Sequence, residues 1–211
     1  MSDWQQIDLS DNSAVGDPGP LPAALKGLAQ STLDDLSPMA SSVPAYDGMG
    51  FWPVVDQAKP TETSRKRVGD TPSLSIDTDD KVVTRSWSLV DRDLADRKAA
   101  MRVEATAKRW SVEVGDITVA GVSIATDAGT QSKLSGALQL VQDDDQIIID
   151  WKSTDGSWVQ LDAATVTAIA RAVGLHVQAC FTRERAIHTA INDAADHDDL
   201  DDINISTGWP T

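Results

Sequence analysis

The chain has 211 residues, with 33 acidic against 18 basic side chains, a formal net charge of −15 and a pI near 4.3. That balance argues against direct binding to nucleic acid or an anionic membrane, since both need clustered Lys and Arg. The acidity is read as solubility and electrostatic spacing. A single cysteine, Cys180, cannot form an intramolecular disulfide and suits folding in a reducing cytoplasm. No apolar run reaches the ~20 residues of a membrane span, and the polar start Met1-Ser2-Asp3-Trp4 reads as lacking a signal peptide.

Taken in chain order, residues 1–75 hold all but one of the nine prolines. Such density removes backbone donors and forbids long regular elements. An extended, Pro-rich arm is expected, with one short helix begun by Pro22 and carrying Ala23, Ala24, Leu25, Leu28 and Ala29. A second turn is expected over residues 31–36, with Ser31 as its cap. Residues 76–110 read as a strand pair and a linker helix. Lys81–Val90 alternates, with Val83, Arg85, Trp87 and Leu89 on one face, Asp77–Asp80 as the turn and residues 72–76 as partner. The helix runs from about Asp93 to Ala107, where Ala95, Ala99, Val103 and Ala107 form a narrow, close-packing stripe.

Residues 111–211 read as a small α+β domain. A hairpin is expected over Trp110–Val119, turning at Gly115-Asp116 and extended by Gly121–Ala125. A helix follows over residues 130–141, with Thr130 as cap and Leu134, Leu138 and Val141 at helical spacing. The plainest local pattern is the hairpin Ile147–Trp151, Thr154-Asp155-Gly156, Trp158–Leu161. Asp162 then caps a long helix to about Ala195. Along it Val166, Ala170, Val173, Val177, Cys180, Ile187, Ile191 and Ala194 form a heptad-like seam, with Glu184 its polar interruption. Gly174 inside this helix predicts a kink or a close contact. Asp196–Ile205 reads as an acidic final turn.

Residues with chemistry are few. His176 and Cys180 lie four apart on one helix, but a zinc site needs three or four such ligands. Asp143-Asp144-Asp145 and Asp196-His197-Asp198-Asp199 lack the alternating spacing and glycine of a calcium loop. Neither a nucleophile elbow, a phosphate loop nor a zincin motif is present. The expectation is therefore a non-enzymatic protein with no metal or cofactor. Seven tryptophans beside two phenylalanines and one tyrosine are unusual. Trp87, Trp110, Trp151 and Trp158 fall in or beside expected strands and read as core, whereas Trp4, Trp52 and Trp209 lie in the arm and tail and read as interface anchors.

The segments Val114–Asp127, Trp151–Ala163 and His176–Phe181 resemble an uncharacterised domain found near the end of many tailed-phage tail and tail-fibre-associated proteins, over roughly Ala95–Ile205. Gly48-Met49-Gly50-Phe51-Trp52-Pro53, after a Leu-Pro stretch, resembles the leading segment of short phage tail proteins. The resemblance implies a structural part of a virion tail, at the fibre, baseplate or tail tip, made in a bacterial cytoplasm. Its partners would be other tail proteins and further copies of itself, a trimer first. The alternative is a fibre-assembly chaperone that does not remain in the virion. The expected contact residues are Trp4, Leu25, Leu28, Phe51 and Trp52 in the arm. On the long helix and tail they are Val166, Val173, Val177, Ile187, Ile191 and Trp209.

Overall fold

In the computed structural model, which describes residues 3–211, the chain divides into two units at Arg92–Asp93. Met1 and Ser2, the first two residues of the polar start, lie outside the described residues. The fold is α+β, with small sheets and a long C-terminal helix.

The first unit corrects the expected arm. Its strands are β1 (Trp4–Asp8), β2 (Ser13–Gly19), β3 (Met49–Asp56), β4 (Lys66–Val68), β5 (Ser73–Asp77), β6 (Val82–Ser86) and β7 (Leu89–Asp91). Five of them form a sheet in the order β2-β1-β3-β6-β5, antiparallel except for β3 and β6, while β4 and β7 pair separately. The prolines punctuate this fold without preventing it. Pro18 lies in an edge strand, and Pro38 and Pro44 open single 3-10 turns, places that need no donor. Pro53 is in a central strand. The Val54 N–H donates towards β1, to the Asp3 carbonyl, so the missing Pro53 donor faces the other side, where pairing with β6 starts only at Val54. The β5–β6 hairpin forms where it is expected, but the expected strand Lys81–Val90 is broken at Trp87-Ser88, with Leu89 starting β7, which pairs with β4. The Asp77 carboxylate accepts from the N–H groups of Asp79 and Asp80 in the turn.

Two small cores stabilise this sheet. Leu25, Leu33, Leu36 and Phe51 form one, with Trp4, Leu28 and Tyr46 packed against it; Ile7, Trp52 and Val83 form the other. The expected helix around Pro22 is a single 3-10 turn, Ala23–Leu25, and the next is α1 (Gln30–Leu33), whose N-cap position is Ala29 and not Ser31. Gly27, at φ 87°, ends the first turn and breaks the run. Where β1 slips register against β2, the buried Gln5 amide donates to the carbonyls of Val15 and Gly16 at 3.1 Å, replacing ladder bonds lost at the bulge.

The second unit contains α2 (Leu94–Glu113), β8 (Asp116–Val119), β9 (Val122–Ala125), α3 (Ala128–Asp143), β10 (Ile149–Lys152), β11 (Trp158–Leu161), α4 (Ala163–Asp193) and α5 (His197–Asp201). Part of the acidity has a local role here. Asp93, Asp127, Asp162 and Asp196 each cap one of these four helices, accepting from backbone N–H groups of the first turn. Asp127, three residues before Thr130, is the cap of α3.

One boundary is corrected. Trp110–Val114 is not a strand; α2 continues to Glu113, and the hairpin is β8–β9, turning at Ala120-Gly121. Both turn residues have positive φ, 52° and 80°, which is the backbone a two-residue hairpin requires. The hairpin β10–β11 and the Asp162-capped α4 lie where their patterns place them.

α4 connects two cores. Its first half packs Val166, Ile169 and Val173 against Ile124, Leu134, Val141 and Leu161 from the hairpins and α3. Its second half packs Ile187 and Ile191 against Ala105 of α2, Leu200 of α5 and Ile205. By length and composition α4 is long and apolar enough to cross a membrane, which corrects the expectation that no segment is. Side chains of its apolar seam pack into these two cores. A Cβ at Gly174 would meet nothing within 4 Å, so the expected close contact there does not occur.

Candidate functional site

The expected contact residues are mostly interior. Leu25, Phe51 and Trp52 are buried in the first unit, and Val166, Val173, Ile187 and Ile191 in the second. Trp4 and Leu28 are half-buried against the first unit's core. Trp209 is half-buried against the second unit's core, its indole donating to the Ile205 carbonyl at 2.7 Å. Val177 is half-buried. The apolar surface that made these residues candidate anchors is thus largely consumed inside their own units. The heptad seam serves the unit's own cores, because two layers of side chains are already packed against it.

A different surface stands out on α2 and α4. The helices run antiparallel: the Lys98 ammonium donates to the carbonyls of Asn192 (3.0 Å) and Ala194 (2.6 Å), while Val112 near the other end of α2 meets His176. Between these ends lies a cluster of charge. The Arg109 guanidinium pairs with Glu113 one turn on and with Glu184 of α4 at 3.0 Å; all three side chains are mostly buried. The other Glu184 oxygen accepts from the Thr106 hydroxyl at 2.6 Å, and the Phe181 ring lies 4.6 Å from the guanidinium carbon. His188 is 3.9 Å from Glu184. Glu184, which reads in sequence as a lapse in the seam, is the acceptor for the α2 arginine. Both carboxylates are committed to one cation, an arrangement that fixes two helices in register.

Several large apolar side chains on these two helices face outward. On α2, Val103 and Trp110 lie seven residues apart and are 71% and 60% exposed. On α4, Leu175 is 59% exposed and Phe181 is also exposed, with a shallow groove of about 500 Å³ along Leu175, Ala179, Thr182 and Ala186. The Ala95–Ala99–Val103–Ala107 stripe, expected to pack, is on this exposed face. The packed face of α2 is instead Leu94, Arg97, Met101 and Ala105. Trp110 and Trp158, expected as core, are both exposed. Large apolar side chains exposed in this way mark a candidate interaction site.

The remaining candidates have structural partners. His176 Nε2 lies 3.1 Å from the Val112 carbonyl and 3.8 Å from the Cys180 sulfur; burial pushes the Cys180 thiol pKa up, which makes it less nucleophilic. His197 and Asp201 receive the buried Arg97 guanidinium, through the His197 carbonyl at 2.9 Å and the Asp201 carboxylate. The Asp144 carboxylate accepts from the Gln146 N–H and that of Asp145 from the Gln146 side chain, as in an ordinary turn. Among the described residues no three His, Cys, Asp or Glu side chains converge as metal ligands.

No curated protein and no solved structure matches this chain. Residues 96–206, more than half of the chain, match the family described as Domain of unknown function (DUF4376), a description that names no activity, partner or location. The match begins in the first turn of α2 and ends just beyond α5, so it covers the α2–α4 pair and both cores. The chain therefore belongs to the DUF4376 family.

Proposed function

We propose that this protein is a structural, non-enzymatic component of a bacteriophage tail that assembles through the outer faces of α2 and α4. The observation that carries the reading is the set of large apolar side chains exposed on these helices, Val103 and Trp110 on α2 and Leu175 and Phe181 on α4. It sits on two helices locked together by a buried ion network, within a strongly acidic chain. A rigid scaffold presenting tryptophan and aliphatic side chains is what a protein–protein contact requires. The tail setting is supported by the resemblance of Val114–Asp127, Trp151–Ala163 and His176–Phe181 to phage tail-associated domains.

Quantitative mass spectrometry of purified, salt-washed virions tests the setting. The expected result is a constant copy number relative to the major tail protein, particularly a multiple of three. Absence from virions with abundance in infected-cell lysate would overturn the structural role and favour an assembly chaperone.

A further inference from the structure

Only 28% of the most apolar 18-residue stretch of α4 is buried, so much of this apolar helix keeps contact with water. Along its outer side Arg171, Gln178 and Arg185 are exposed and recur every seven residues, which sets them in one row two turns apart. Beside that row are the exposed Leu175 and Thr182, which line the groove of about 500 Å³. From Ala163 to Asn192 the one carboxylate is Glu184, and Arg109 already occupies it. On a chain of net charge −15, the outer face of α4 is therefore apolar and basic.

The outer face of α2 has the opposite character. Asp96, Val103 and Trp110 are exposed and also recur every seven residues, with Ala99 and Ala107 on the same side and Glu104 at its edge. The cations of α2 are turned elsewhere. Lys98 and Arg102 bond to Asn192 near the end of α4, Arg97 is buried on His197 and Asp201, and Arg109 joins the ion network. Lys108, five residues from Val103, lies on the far side of the helix. What α2 presents outward is thus apolar and acidic.

We infer that the partner of each face is a second copy of this chain, the outer face of α2 on one protomer seating on the outer face of α4 on the next. Val103 and Trp110 then cover Leu175 and the groove beside it, and the carboxylates of Asp96 and Glu104 meet the Arg171 and Arg185 row. The inference rests on the assembly reading and adds which face meets which. Pairing α2 with α2, or α4 with α4, would set like charges against each other, which disfavours both. Because the two faces differ, the contact is head-to-tail, the kind that closes into a ring or extends as a filament. A bilayer is a poorer occupant of the α4 face, since Arg171 and Arg185 would have to enter hydrocarbon.

The test is sedimentation of three full-chain variants beside the wild type, with circular dichroism to confirm that each keeps its helices. One carries Asp96→Lys and Glu104→Lys, the second Arg171→Glu and Arg185→Glu, and the third all four changes. All four residues are exposed, so the fold should be kept. The first two variants are expected to associate at least about tenfold more weakly than the wild type, the order of effect of like charges at a contact. The third, with its charges exchanged and matched again, should regain most of that loss. A mixture of the first two should also associate, because the α2 face of one then fits the α4 face of the other. Unchanged association of either two-site variant, or a third variant no better than they are, would overturn the inference while an oligomeric wild type leaves the assembly reading standing. A monomeric wild-type chain would overturn both, and its flotation with phosphatidylcholine vesicles would make a bilayer the occupant.

Discussion

Replacing Trp52 by Ala is expected to unfold the first unit at ordinary temperature while the second unit melts as before. The indole is fully buried, packs with Ile7 and Val83, and donates from Nε1 to the Asp34 carbonyl at 3.2 Å. Lys81 lies over its ring at 4.7 Å. Beside it the chain is so close that a Cβ at Gly50 would fall 2.5 Å from the Asp34 oxygen, which leaves little freedom to collapse into a vacated space. Truncating a buried tryptophan costs roughly 3–5 kcal/mol, and leaving the Asp34 carbonyl without its donor adds roughly 1–3 kcal/mol. A unit of about ninety residues has total stability of about 5–10 kcal/mol, so most or all of it is lost. Calorimetry would show one of two transitions missing. Two transitions at unchanged temperatures would contradict the assigned core.

The second large effect is expected at Arg109. Arg109→Met keeps the length of the side chain and its packing on Phe181 but leaves Glu113 and Glu184 without their shared cation. Breaking a buried pair from one side costs roughly 3–5 kcal/mol, and the lower end applies because these side chains keep a little contact with water. The companion variant carries Glu113→Gln and Glu184→Gln as well. It should regain most of the loss, because a neutral set leaves no uncompensated charge between the helices. Denaturant melts of the two variants decide the matter. If the triple variant is no more stable than Arg109→Met, the network is not what couples α2 to α4.

What could be read from the sequence was local. The β10–β11 hairpin and α4 were legible because alternation, a Gly turn and an Asp cap all act within a few residues. The end of α2 was not. Trp110-Ser111-Val112-Glu113-Val114 alternates like a strand and meets Gly115-Asp116, a plausible turn. The helix continues because Arg109 pairs with Glu113 one turn away and Val112 meets α4. Long-range packing there overrides β propensity. Similarly, α2 carries two apolar stripes, and the more regular one, Ala95 to Ala107, was expected to be buried. Which stripe packs is decided by the partner helix, and α4 accepts Leu94, Met101 and Ala105. The prolines of the first unit were misleading for a different reason. Their cost depends on whether the missing donor would have had an acceptor, a property of sheet position that composition does not contain.

The candidate site was the least legible part. Trp4, Trp52 and Trp209 were expected to be contact anchors and are packed within their own units. Trp110 and Trp158 were expected to be core and are exposed. Composition marked tryptophan as significant, but only the tertiary packing separates those that are interior from those that face outward.

The most direct test of assembly through α2 and α4 is analytical ultracentrifugation of the full chain beside a Val103→Glu, Trp110→Glu variant. Both residues are exposed, so the variant should keep its helices and its melting behaviour. The wild-type chain is expected to sediment as an oligomer of its 22.6 kDa protomer, a trimer first, and the variant as a monomer. A wild-type chain that remains monomeric, or a variant that associates as well as the wild type, would contradict assembly through this surface.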